Sequence, residues 1–297
     1  MTPSHRTDRR LLLALLASAL LYTCTPVWAG AVGATPATTE AGPATATAGI
    51  RFPHTALQGA MVIGKVPAGS QVTYAGRTLR PTPYGSVVLG IGRDQSGTIA
   101  LTVTPPGAAT QTILITILPR DWPVEQVRGV PPATVTPPPE LARRIEAEQA
   151  QVAAARQRDG DETGFAQRFF WPVQGRISGR FGHQRVYDGV PGAPHSGMDI
   201  AAPAGTPVRA PASGVVTFAA PDLYLTGGTV LLDHGHGISS NFLHLSRIDV
   251  QVGQPVRQGE IIGAVGATGR ASGPHLHWGM NWFDVRIDPL LVLQRTP

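Results

Sequence analysis

Residues 273–280 read GPHLHWGM, with His275 and His277 separated by one leucine. Leu276, Trp278 and Met280 favour a strand, where residues two apart point to the same face. Both imidazoles then aim at one spot, while Leu276 between them points into a core. A metal, a substrate or neither could stand at that spot, so the rest of the chain has to decide. Gly273 and Pro274 shape the approach to this strand.

Seven of the nine histidines fall within residues 165–297. So many imidazoles in one glycine-rich, β-patterned stretch call for a metal hypothesis. HSGMD, His195 to Asp199, sets a histidine and a carboxylate four apart, a spacing that shares a face in an extended segment and in a helical turn. NFLHLS places His244 inside an apolar run that reads as a strand. Taken singly these motifs are weak; their joint presence in one domain is what carries weight.

The set HSGMD, NFLHL and GPHLHW resembles the lysostaphin-type (LytM-type) zinc peptidases, which cut peptide cross-bridges of bacterial peptidoglycan. The resemblance covers residues 170–290 and extends to WPVQGRISGRFG, APASGVVTFA, VLLDHGHGISSNFLHLS and VGQPVRQGEIIGAVGATGRASGPHLHW. It implies an antiparallel β-sheet peptidase domain with one Zn2+ per chain. Carried over residue by residue, it makes His195, Asp199 and His277 the zinc ligands, and His244 and His275 the catalytic pair. Three protein ligands leave a fourth tetrahedral position for water, as a hydrolytic zinc site requires. No H-E-x-x-H helix supplies a glutamate base, so an imidazole beside the metal is the natural proton acceptor. For a Gram-negative wall the resemblance implies the D-alanyl–meso-diaminopimelate bond.

The other polar groups have blander expectations. His183 belongs to the surface near the site, His234 and His236 to a tight turn after VLLD, and Asp188 and Asp222 to solvent. Trp278, Trp282 and Phe283 are core aromatics or a groove wall. Two rival functions stand against this reading. A non-catalytic regulator of cell-wall amidases is disfavoured by the complete ligand set, while a latent enzyme held shut by its N-terminal region stays an alternative. A lipoyl or biotinyl carrier needs a modifiable lysine, and Lys65 lies outside this domain.

The N-terminal half gives the setting. MTPSHRTDRR is basic, LLLALLASALLY is apolar, and VWA at 27–29 has the small residues of a cleavage site, so residues 1–29 read as a signal peptide. The apolar run is short for a membrane span, which needs about 20 residues. Export follows, to the periplasm, with secretion or membrane anchoring as alternatives. Cleavage after Ala29 removes Cys24, the one cysteine, and with it any disulfide.

Residues 30–49 are rich in Ala, Thr, Gly and Pro and read as a disordered spacer. Residues 50–120 hold short alternating runs such as TIALTVT, a small antiparallel β-sandwich expected to bind or to space, with a regulatory protein as partner. Residues 121–164 read as a proline-rich linker and a helix, with Leu141, Ile145 and Val152 on one face packing against a neighbouring domain. Residues 165–297 form the peptidase domain. The whole is mostly β, in keeping with 35 Gly and 28 Pro. The net charge of +5 comes without a block of like charges, which argues against nucleic acid as partner. Peptidoglycan peptide stems are the expected partner, and no stable membrane span is expected after signal cleavage.

Overall fold

The computed structural model describes residues 49–127, 138–187 and 189–295. The signal peptide, the spacer through residue 48, part of the proline-rich connector and Asp188 lie outside the described residues. Residues Ala46–Pro297 form one compact unit, and the chain is mostly β.

Seven short strands come first: β1 (Thr55–Leu57), β2 (Met61–Lys65), β3 (Gln71–Tyr74), β4 (Arg77–Leu79), β5 (Ser86–Gly90), β6 (Thr98–Thr104) and β7 (Gln111–Leu118). One sheet has the order β1-β7-β6-β3-β4, and β2 pairs with β5 in a second. The run TIALTVT makes β6 because Ile99, Leu101 and Val103 are buried while Thr98, Ala100 and Thr102 face solvent, the period of a half-buried strand. The β1–β7 pairing is parallel, an exception to the antiparallel arrangement expected here. The long intervening chain lets the two strands run in the same direction.

Within the stretch expected as linker, Val124–Val127 forms a strand, β8. The helix Pro139–Arg156 follows. It has proline in its first turn, Glu140 near its N-terminus and Arg156 in its last turn, a charge order that suits the helix dipole. It lies against the strands that follow, with no residue fully buried.

The C-terminal part adds β9 (Arg176–Gly179), β10 (Gln184–Tyr187), β11 (Val190–Pro191), β12 (Gly197–Ala201), β13 (Pro207–Arg209), β14 (Gly214–Leu223) and β15 (Gly227–Gly235). After these come β16 (Ile238–Leu245), β17 (Arg247–Ile248), β18 (Pro255–Val256), β19 (Ile261–Ala264), β20 (His275–Trp282) and β21 (Val285–Ile287). The main sheet runs β18-β14-β15-β16-β20-β12-β9, with β21 beside β20, and each pairing in it is antiparallel. β8 joins β10 in parallel in a separate three-stranded sheet.

Strand β20 divides its residues by parity. Leu276, Trp278 and Met280 are fully buried in the core, each contributing about 1.5–3 kcal/mol of burial. His275, His277, Gly279 and Asn281 take the other face. The core is continuous with the N-terminal sheets. Gly90 of β5 approaches Trp282 so closely that a Cβ there would lie 2.6 Å from the Trp282 Cβ, and the Arg77 guanidinium stacks 3.7 Å from the centre of the Phe283 ring.

One expectation needs correction. His236 does occupy a tight turn, with φ of 53°. His234, expected there too, lies within β15 and is fully buried. Its Nδ1–H donates to the Ser213 carbonyl, and its Nε2 accepts from the Ser240 hydroxyl. A histidine with both ring nitrogens satisfied is accepted in a core.

Candidate metal centre and cleft

Antiparallel register assembles the centre. Asp199 of β12 stands directly opposite His277 of β20, and Ala201 stands opposite His275. His195 precedes β12 and folds back beside them. His195 Nε2, His277 Nδ1 and Asp199 Oδ1 converge: the two nitrogens are 3.1 Å apart, and they lie 3.1 and 2.8 Å from the oxygen.

The chemistry of these atoms bears on whether a metal fits. His195 Nδ1 lies 3.0 Å from the Arg180 carbonyl, which can only accept, so that nitrogen carries the proton. In the neutral ring Nε2 is then a lone pair, aimed at a carboxylate oxygen and a second imidazole nitrogen. Three acceptors in mutual contact need a cation or a shared proton between them. Tetrahedral zinc with bonds of about 2.0–2.1 Å sets its ligands roughly 3.3 Å apart, close to the separations found.

Two glycines make the room. At Gly197 a Cβ would lie 2.8 Å from His277 Nε2, and at Gly179 one would lie 2.4 Å from Asp199 Oδ2. The donor set and its cradle fit a zinc ion.

Electrostatics agree with that fit. Burial acts to raise the Asp199 carboxyl, but protons on the His195 and His277 imidazoles, standing where a metal cation would, overcome it and hold the group well below the usual carboxylate range. Burial pushes His277 down to about 4, which keeps the ring neutral and able to donate a lone pair. His277 Nε2 is buried without a hydrogen-bond partner.

His244 and His275 flank the three donors. Their ring centres are 4.8 Å apart, and the His244 ring centre is 6.4 Å from that of His277. His244 reaches this position through a β-bulge. Between the pairs Gly228–Leu245 and Val230–Phe242, two residues of β16 oppose one of β15, and His244 has φ of 63°. In a plain strand His244 would face away from its neighbour Leu243, which pairs with His277; the bulge turns it back into the cleft.

Each ring is fixed by a carbonyl. His244 Nδ1–H donates to Thr268 and His275 Nδ1–H donates to Gly273, both at 2.8 Å. That leaves Nε2 of each as an acceptor. Burial lowers the His244 pKa.

A groove of about 350 Å³ runs past His195 and Asp199, walled by Glu125, Ser178, Arg180 and His183. His183 is exposed at this wall. Trp278 is core rather than groove wall, and the Asp222 side chain is 91% exposed. Sequence reasoning did not single out Gly179, Gly197 or the Arg180 and Thr268 carbonyls. The glycines stand inside quoted motifs, but their purpose depends on cross-strand neighbours.

Fold and site together define a β-sheet protein built around a three-donor, metal-competent centre. The family model for peptidase family M23 matches residues 193–289. A crystal structure assigned to peptidase M23 from Pseudomonas aeruginosa superposes with a TM-score of 0.62 at 33% identity, over 80% of this chain and 94% of that one. The chain belongs to peptidase family M23.

Among curated relatives, the cell division protein DipM of Caulobacter vibrioides is 35% identical over 167 residues, 54% of this chain and 26% of the relative. The peptidoglycan DD-endopeptidase ShyA of Vibrio cholerae is 40% identical over 137 residues, 43% of this chain and 32% of the relative. The chain thus spans a third or less of the length of these curated relatives. Among the described residues, no helix is long and apolar enough to cross a membrane.

Proposed function

We propose that the chain is an exported, zinc-dependent endopeptidase that hydrolyses peptide cross-links of peptidoglycan. The observation that carries the proposal is the convergence of His195 Nε2, His277 Nδ1 and Asp199 Oδ1 to within 3.1 Å, beside two further imidazoles. Kinship with a relative named as a peptidoglycan DD-endopeptidase supports the substrate.

His195, Asp199 and His277 would hold the ion. When bound, zinc supplies Lewis acidity that polarises an amide carbonyl and makes water a better nucleophile at neutral pH. The protein's own groups do the rest. His244 and His275, with Nδ1–H tied to carbonyls, are left with Nε2 as the ring atom that can accept a proton. Either can take a proton from the attacking water and later return it to the leaving amine. Once protonated, each can also donate to the oxygen on which charge develops. The bond proposed for cleavage is D-alanyl–meso-diaminopimelate.

The test is incubation of cross-linked peptidoglycan with residues 30–297, followed by mass analysis of the muropeptides. Loss of dimers, with products one water heavier than the dimers in sum, is the expected result. Intact dimers with a zinc-loaded chain would leave a regulator of other wall enzymes as the better reading.

A further inference from the structure

A cavity of about 430 Å³ lies between the linker helix and the sheet, on the face that carries the metal centre. Its lining includes Val152 and Arg156 of the helix, Asn241 and Leu243 of β16, Arg286 of β21, and Ser196, the neighbour of His195. Leu243 is the cross-strand partner of His277, and Asn241 that of Gly279. The cavity therefore continues the cleft along the sheet.

Two of its polar atoms lack partners. Arg156 Nε and Asn241 Oδ1 are buried with no hydrogen-bond partner, and Asn241 is only 5% exposed. Arg286 donates through Nη1 to Asn281 Oδ1 at 3.1 Å, which leaves most of its five donors uncommitted. Among the described residues, neither arginine makes a salt bridge. Burial, and then the charge of Arg156, pushes Arg286 down to about 10, with Asp284 opposing the shift. Burial also lowers Arg156, again with Asp284 opposing the shift.

Nearby acids are committed elsewhere. Glu148 also lines the cavity, but its two oxygens accept from Arg144 Nε and the Tyr224 backbone N–H. It lies eight residues before Arg156, about 12 Å along the helix. Asp284 is exposed and accepts from Gln157. Two half-buried guanidiniums line one space, and Asp284, whose charge acts on both, makes no ion pair with either among the described residues, so the space between them suits a carboxylate.

We propose that this cavity is a carboxylate-binding subsite, in which Arg156 and Arg286 hold a free carboxylate of the peptide being cut and Asn241 accepts one of its amide N–H groups. This rests on the peptidase reading above. Guanidiniums suit the task because their planar fork matches a carboxylate. The linker helix is then a wall of the substrate cleft as well as a connection between sheets.

The test separates binding from catalysis. A synthetic, uncross-linked stem tetrapeptide with free carboxylates, and the same peptide with every carboxylate converted to carboxamide, are titrated calorimetrically into the zinc-loaded chain. The free acid should bind roughly tenfold more tightly, the scale of one charge-assisted hydrogen bond. Arg156→Gln and Arg286→Gln should each abolish the preference. In digests of cross-linked dimers, Arg156→Gln should raise KM with kcat little changed.

Equal affinity for acid and amide, binding of neither, or a preference that survives in both variants would overturn the subsite. If Arg286→Gln does not fold, Arg156→Gln at the helix end still decides the matter. Absence of hydrolysis would remove the peptidase reading, whereas the affinity ratio reports on the subsite alone.

Discussion

Asp199 and His277 face each other across an antiparallel strand pair, with Asp199 Oδ1 2.8 Å from His277 Nδ1. The pair is 78 residues apart in sequence and adjacent only through register. A one-residue slip of β20 against β12 would send His277 into the core and bring Leu276 or Trp278 to the cleft. The buried face of β20 therefore fixes the candidate metal centre as well as the fold.

The glycine cradle gives the first prediction. Gly197→Ala places a methyl against His277 Nε2 and the Trp278 carbonyl, and Gly179→Ala places one against the Asp199 carboxylate. Displacing a ligand or its support costs about 10–100-fold in metal affinity. Competition with a fluorescent chelator should show zinc binding weakened on that scale in both variants. Unchanged affinity would mean that the glycines do not serve the ligands.

His244 and His275 should separate from the ligands in their effects. His244→Ala and His275→Ala are expected to keep one zinc per chain and to lose about 10²–10⁴ in kcat. His195→Ala and His277→Ala should lose both metal and hydrolysis. Metal content by mass spectrometry, set beside muropeptide kinetics, checks the division. Loss of zinc from His244→Ala would move that residue into the ligand set.

Acid should destabilise the chain through His234. Burial pushes this ring down to about 4 from 6.5, against the Ser213 carbonyl, which favours the charged form. The native state thus holds the ring neutral while the unfolded chain takes up a proton below about 6.5. Stability is fully present above that pH and falls as pH drops toward 4, by about 3 kcal/mol from this group. Urea unfolding across this range should give a shallower pH slope for His234→Gln than for the parent. Parallel slopes would contradict the assignment.

Arg120 ties the N-terminal sheets to the C-terminal helix, Pro289–Gln294. Its Nη2 donates to Asp288 Oδ2 at 2.8 Å, while Asp288 Oδ1 caps that helix at Leu290 N–H. The Asp288 side chain is 4% exposed, so Arg120→Ala strands a buried charge at a cost of about 3 kcal/mol. Adding Asp288→Asn to it should recover part of the loss. A double variant no more stable than Arg120→Ala would show that the charge is not the cause.

Much of the site was legible because its motifs are local. HxH on a strand, with Leu276 turned inward, follows from alternation alone, and HSGMD brings a third histidine and the carboxylate. The alternating runs from β6 through β20 mark a mostly β chain. What escaped is non-local. His234 reads as part of a turn because the glycines after it are visible, whereas Ser213 and Ser240, which satisfy it, are distant.

His244 sits on the correct face only through a bulge that no residue pattern announces. Val124–Val127 reads as linker because its pairing partner lies 60 residues on, at Gln184–Tyr187. Arg156 and Arg286 gain meaning only when a helix crosses the sheet.

The central claim is tested most directly by titrating zinc into metal-free chain while cross-linked dimers are counted by mass. Hydrolysis should be absent at the start, rise in proportion to added zinc and level off at one equivalent per chain. Full hydrolysis without metal, or one bound equivalent with the dimers intact, would contradict the account.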